Sequence, residues 1–262
     1  MIPAYAAGQQ KRDNDMTNQP DKILVNEDKL LGARTLGRPI GIKICPTPVC
    51  YLSGTRIRTP EGERRIEDLK IGDAVLTLSG ESKPIKWIGR QKFKKSTECW
   101  PKDFEPIRIG CFALDERSPH RDLCVSPNHA IYIDGVLIPA KYLVNGLNIT
   151  QCAPEGADVI EYLHIELFGH DVIYAEGATA ETFGSLREAR DHFDNFYEYY
   201  RLYGKGDETA HPPCAPLLWG QSRLERAVQP FRNMLEPWID VRSIRDKIRD
   251  RLAARARELV ES

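Results

Sequence analysis

The chain predicts an all-β domain between a turn-rich leader and a helical tail, and three observations carry that prediction. From residue 50 to 183, short β-branched and apolar runs recur at close spacing, punctuated by Gly, Pro, Asn and Asp. No strand–helix–strand alternation appears in this stretch, so a parallel sheet with crossover helices is not expected. Beyond residue 184 the apolar period changes to every three or four residues.

The elements follow in order. Residues 1–49, rich in Gln, Asn, Asp, Gly and Pro, show no sustained period and are expected to be a largely disordered leader. One short ordered piece is expected near "DKILVNEDKLLG". "TRIRT" alternates and is closed by the turn "PEGE"; "IEDLKIGDAVLTL", the turn "SGES" and "PIKWIGRQKF" come next. The runs "EPIRIGCFAL", "LCVSPNHAIYIDGVLIPA", "GLNITQ" and "DVIEYLHIELFGHDVIYAEG" complete the β pattern, with a single helical turn at "AKYLVNG". In the tail, "SLREARDHFDNFYEYYRLYG" reads as a helix that turn formers shorten, its aromatics packing on the β domain. "GDETAHPPCAP" is a linker, and Val241, Ile244, Ile248, Leu252, Ala256 and Leu259 mark an amphipathic helix whose charged face is solvated. The division is therefore 1–49, 50–183 and 184–262.

Composition narrows the function classes. The 262 residues carry 37 Lys+Arg against 38 Asp+Glu, a net charge of −1, which supplies no global attraction to nucleic acid or an anionic membrane. No apolar run approaches the ~20 residues that span a bilayer. The start lacks the basic and apolar regions of a secretory signal, so a cytoplasmic protein is expected. Cysteines stand at 45, 50, 99, 111, 124, 152 and 214: an odd count, irregular spacing and no C-x-x-C pair. Neither a disulfide framework nor a zinc site is expected, nor any cofactor. Reduced thiols are the default, and any one of them is free to act as a nucleophile.

"PVCYLSGTRIRTP", residues 48–60, singles out Cys50, whose own amide nitrogen joins leader to domain. Alone, it reads as a structural thiol at a strand start. Two further stretches change that reading: "VSPNHAIYIDG", which holds Ser126, Pro127, Asn128 and His129, and "EYLHIELFGHDVIYAEGATAETF" near the end of the β region. His129 by itself would be a turn histidine after "SPN"; Cys124 reads as core, and His120 and His192 as loop and surface residues.

Taken in order, these stretches resemble the Hint domain, the self-processing module shared by inteins and Hedgehog proteins. Cys50, Gly54, Thr55, Ile57, Gly72, Asp73 and Val75 match its opening. Ser126-Pro127-Asn128-His129 matches its T-x-x-H motif with Ser for Thr, and the tail is similar to an extension found in a bacterial branch. The resemblance implies a horseshoe of short strands in which Cys50 attacks the carbonyl carbon of Val49, moving the leader from nitrogen to sulfur. An ordinary thiol, with a pKa of about 8.5, is only a few per cent thiolate at neutral pH, and an amide nitrogen is a poor leaving group. Through the resemblance, His129 protonates that nitrogen and Ser126 helps hold the scissile amide. A neutral-range pKa suits an imidazole to this work, and positioning contributes roughly 7–11 kcal/mol when the geometry is right. His164 falls where many Hint domains place an Asp that tunes the cysteine; His170 and Asp171 compete for that role.

Splicing members end in His-Asn. Here Glu181 and Thr182 occupy those places, and Asn145-Gly146 lies well inside the domain, so splicing is not expected. The expectation is a single-turnover autoproteolysis at Val49–Cys50, with the leader as cis substrate and water or another nucleophile resolving the thioester. The alternative is a catalytically silent scaffold that recruits a protein partner through the helical tail. Ser at 126, the β-branched Val49 and the missing His-Asn favour that alternative.

Overall fold

The computed structural model describes residues 47–95, 99–153, 155–184, 190–204, 211–219 and 242–261. The ordered piece expected near residues 21–32 and the apolar position Val241 lie outside them. Among the described residues, short strands build two six-stranded antiparallel sheets and a two-stranded ribbon. The first sheet runs β11 (Ile149–Gln151), β7 (Ile107–Ile109), β8 (Leu123–Val125), β1 (Tyr51–Leu52), β12 (Val159–Glu166) and β6 (Trp87–Lys94). The second runs β10 (Val136–Pro139), β9 (Ala130–Ile133), β14 (Ala178–Glu181), β13 (Val172–Ala175), β2 (Arg56–Thr59) and β3 (Gly62–Arg65). The ribbon pairs β4 (Ala74–Leu76) with β5 (Ser82–Pro84).

β1 is only two residues long, yet it is central: Tyr51 pairs with Val125 of β8 on one side and Leu163 of β12 on the other. Cys50, the residue before it, is thereby fixed at the middle of a sheet, with no solvent exposure. Alternation turns Ile57, Ile107, Ile109, Leu123, Val125, Ile131, Leu163, Ile165 and Ile173 into the main core. Cys50 belongs to a second cluster, an aromatic one, with Trp87, Phe93, Trp100, Tyr162, Phe183, Phe193 and Tyr199. The β9–β10 hairpin turns through Asp134 and Gly135 at φ 51° and 85°, the left-handed pair that a tight two-residue hairpin needs.

One stretch differs from the sequence expectation. "IEDLKIGDAVLTL" is extended only over β4; Ile66–Asp68 form a 3₁₀ turn instead. The Ile66 amide is drawn to the Thr55 carbonyl (2.8 Å) and the Gly72 amide to Ile85 (2.8 Å), which bends this stretch around the sheet edge. Among the described residues the aromatic part of the tail forms a short helix, α1 (Phe196–Tyr203), shortened as its turn formers lead one to expect. Residues 192–195 cover the β6 edge instead: Asp194 N–H donates to the Arg90 carbonyl (2.8 Å), and the Asn195 side chain bridges the Arg90 amide and the Ile88 carbonyl (2.8 Å each). The Asp194 amide and the Asn195 side chain are committed to the strand, so the helix begins after them, and it ends at Gly204 with φ 75°.

A buried ion cluster fastens this segment. Arg190 donates to both Glu166 oxygens (Nε 2.8 Å, Nη2 2.6 Å), and Lys86 Nζ lies 3.3 Å from the same carboxylate. The three side chains are 4%, 0% and 5% exposed for Arg190, Glu166 and Lys86. Tyr199 stacks under both cations, with Arg190 4.2 Å and Lys86 5.1 Å from its ring centre. The second tail helix, α2 (Ile244–Glu261), buries Ile248, Leu252 and Ala256 as its period predicts, while Ile244 stays exposed. Ile248 and Leu252 join the main core, and Arg251 pairs with Asp134 (2.7 Å). The buried part of the α2 stripe is thus spent on the β domain itself.

Candidate active site

The geometry starts with Ser126, the residue after β8. Its Oγ accepts the Cys50 N–H (2.8 Å) and donates to the Pro48 carbonyl (2.8 Å), while its own N–H donates to the Cys50 carbonyl (2.9 Å). One serine therefore brackets the Val49–Cys50 amide, holding its nitrogen and the carbonyls on both sides of the linkage. Asn128 adds a grip one step back, its Nδ2 donating to Thr47 Oγ1. The sequence reading placed Asn128 in the motif without assigning it work.

The tight turn that closes with His129 N–H donating to the Ser126 carbonyl (3.1 Å) brings His129 in behind Tyr51. Their rings stand 4.2 Å apart, and His164, reaching in from β12, lies 5.2 Å from His129 and 6.1 Å from Tyr51. Tyr51, which the sequence reading missed, packs against His129 and donates its hydroxyl to the Glu181 carbonyl (3.0 Å). Opposite His164 in the β12–β6 ladder is Gly89. A Cβ there would stand 2.6 Å from the Phe193 ring, so glycine alone lets that aromatic ring close over this part of the sheet.

All three chemical groups are held neutral. Burial pushes the Cys50 thiol far above its ordinary range, against a smaller lowering by the Val49 backbone. Burial pushes His129 down to about 3, again with the Val49 backbone opposing. His164 is driven well below its usual value by burial first and by the neighbouring imidazoles His129 and His170 second. At rest the thiol and both rings are neutral, not a thiolate–imidazolium pair.

This has a consequence for stability. Below about pH 6.5 the unfolded chain protonates these histidines, while folded His129 stays neutral down to about 3. The unfolded state therefore binds more protons in this window, and the stability from the neutral rings, complete above pH 6.5, is lost as pH falls. Each ring contributes a slope of at most about 1.4 kcal/mol per pH unit. Urea midpoints between pH 6.5 and 5 should fall in the parent, and the slope should lose about one proton in His129→Gln. An unchanged slope would contradict the burial of a neutral ring.

The competing residues make other contacts. Asp171 binds Lys83 (2.7 Å). His170 Nδ1 accepts the Cys214 N–H (3.0 Å), which leaves its Nε2 facing Glu181 Oε2 at 3.5 Å. Of the three, His164 is the one in ring contact with Tyr51 and His129. Glu181 and Thr182 end β14 beside this group, Glu181 Oε1 accepting the Ala130 N–H (2.7 Å) and Phe183 packing on the His164 ring (5.3 Å). Cys124, expected in the core, is only partly buried. Among the described residues, metal-type donors converge only at Glu63, His120 and Glu176, outside this site.

A bacterial intein-like domain from Clostridium thermocellum is similar over 52% of this chain and 99% of its own, with 15% identity and a TM-score of 0.37. A DnaB intein from Synechocystis sp. is similar over 51% and 98%, with 14% identity and a TM-score of 0.34. The gp41-1 intein is similar over 50% and 96%, with 18% identity and a TM-score of 0.34. No curated protein matches the chain. The family model described as "Hint domain" matches residues 49–186, more than half of the sequence, from the residue before Cys50 to just past the end of β14. The protein belongs to the Hint domain family.

Proposed function

We propose that this protein cleaves its own chain at Val49–Cys50 without splicing, in a single turnover. The observation that carries the reading is the bracket around that amide, in which Ser126 Oγ accepts the Cys50 N–H and donates to the Pro48 carbonyl. The Cys50 sulfur attacks the Val49 carbonyl carbon; a C–S bond forms as the C–N bond breaks. The thiol proton passes by way of His129 to the departing nitrogen, which becomes the free amine of Cys50. Because Ser126 holds the N–H from one side, the lone pair that develops on the nitrogen faces away from Ser126. An imidazolium whose pKa is depressed by burial gives up its proton readily, which suits His129 to the role of general acid. His164, against Tyr51 and His129, positions that ring. Water or another nucleophile then takes the acyl group, releasing a leader that ends at Val49 and returning the Cys50 thiol. No residue at 181 or 182 supplies the His-Asn pair of a splicing junction.

Hydroxylamine tests this directly. It should release a leader carrying a hydroxamate at Val49, slowly, because Cys50 is fully covered and the thioester is reached only through local opening. Ser126→Ala should lower the rate by tenfold or more while the fold persists. An equal rate in Ser126→Ala would remove the bracket from the mechanism. The same burial, with the raised thiol pKa, favours the second reading, a silent scaffold; under it hydroxylamine releases nothing at any time.

A further inference from the structure

We infer that Glu63, His120 and Glu176 form a binding site for a divalent transition-metal cation of the Zn²⁺ or Co²⁺ kind, independent of the chemistry at Cys50. One donor atom from each side chain lies within 4.8 Å of the other two. They come from three separate segments: β3, the loop between β7 and β8, and the turn joining β13 to β14. His120 Nε2 is 3.1 Å from Glu63 Oε2. Metal–ligand bonds of about 2.0–2.2 Å set tetrahedral ligands roughly 3.3–3.5 Å apart, so this pair already stands near coordination spacing.

The decisive atom is on Glu176. This side chain is buried, with the residue 5% exposed; Oε1 accepts the Arg56 N–H (2.7 Å), and Oε2 has no hydrogen-bond partner. A protonated His120 paired with Glu63 would account for the 3.1 Å contact but would leave that oxygen unsatisfied. A cation shared by all three satisfies it.

The surroundings fix the donors. His120 N–H donates to the Glu176 carbonyl (2.9 Å), and the Glu176 N–H to the Arg56 carbonyl (2.8 Å). Gly177, at φ 82°, lies under the imidazole: a Cβ there would be 2.4 Å from His120 Nδ1. The glycine allows the ring to lie against the turn, with Nδ1 on the glycine and Nε2 on the carboxylate. Two carboxylates and one imidazole suit Zn²⁺, Co²⁺ or Mn²⁺ and leave positions open for solvent. Cysteine spacing in the sequence could not reveal such a site, because it contains no thiolate and its members are far apart in the chain.

Exposed Cys99 and Cys214 also attract these metals, so the test must report ligand type. Co²⁺ is titrated into the full chain, its optical spectrum is followed, and thermal melting is repeated with Zn²⁺. One equivalent of Co²⁺ should bind with weak visible bands and no thiolate charge-transfer band, and Zn²⁺ should raise the melting temperature by several degrees. Glu176→Gln should weaken binding at least tenfold, and Glu63→Gln, on a partly exposed strand residue, should do the same without endangering the fold. Binding unchanged in both variants, a thiolate band on the bound cobalt, or no binding by the parent would each overturn the site.

Discussion

His129→Gln is expected to slow leader release by about 10²–10⁴-fold, the usual worth of a positioned general acid–base group. The expectation follows from the neutral ground state: with the thiol held far up and the imidazole at about 3, neither separated charge is stable in the buried site. The proton must therefore move with the acyl group rather than ahead of it, and the ring is its carrier. Glutamine keeps a polar side chain of similar reach but cannot both take and give a proton at neutral pH. The rate is read from the hydroxylamine-trapped leader over time. A rate within threefold of the parent would show that the proton travels without this ring. His164→Gln, by contrast, should slow the reaction more modestly, since His164 meets His129 only through ring contact at 5.2 Å.

Glu166→Ala should destabilise the protein by about 3–5 kcal/mol, because it strands Lys86 and Arg190 without the carboxylate that both contact inside the fold. Total stability of a domain is of order 5–15 kcal/mol, so this single change takes a large share. The loss is read from urea midpoints at constant slope. Replacing the charges together by apolar side chains should recover much of it, since the cost lies in burying cations that have lost this carboxylate and not in the absence of the pair. The effect reaches the site: Arg190 and Tyr199 anchor the segment whose Phe193 and Tyr199 share an aromatic cluster with Cys50. Loosening that segment should make Cys50 alkylate faster in the native protein. A loss below 1 kcal/mol would mean that water reaches the cluster.

Much of the fold was legible because its signals are local. Alternation in "TRIRT" and in "DVIEYLHIELFGHDVIYAEG", bounded by Gly, Asp and Asn, is sufficient to predict β2, β12 and β13. The stripe at Ile248, Leu252 and Ala256 is legible for the same reason. The start of α1 is set by a tertiary event, the bonding of Asp194 and Asn195 to β6, which no periodicity records. Cys50, Ser126, His129 and His164 were legible through the order of their motifs. What the motifs could not show is how they meet: Tyr51 packing on His129, Asn128 holding Thr47, and Glu181 facing His170 are products of the tertiary fold. The Glu63–His120–Glu176 group was invisible in the sequence for the same reason, since His120 read only as a loop residue.

The most direct test of the central claim is intact-mass spectrometry of the parent and of Cys50→Ala, each incubated with and without dithiothreitol. The account predicts a thiol-accelerated product beginning at Cys50, together with a leader ending at Val49, in the parent alone. A parent mass that never changes, or cleavage that persists in Cys50→Ala, would contradict it.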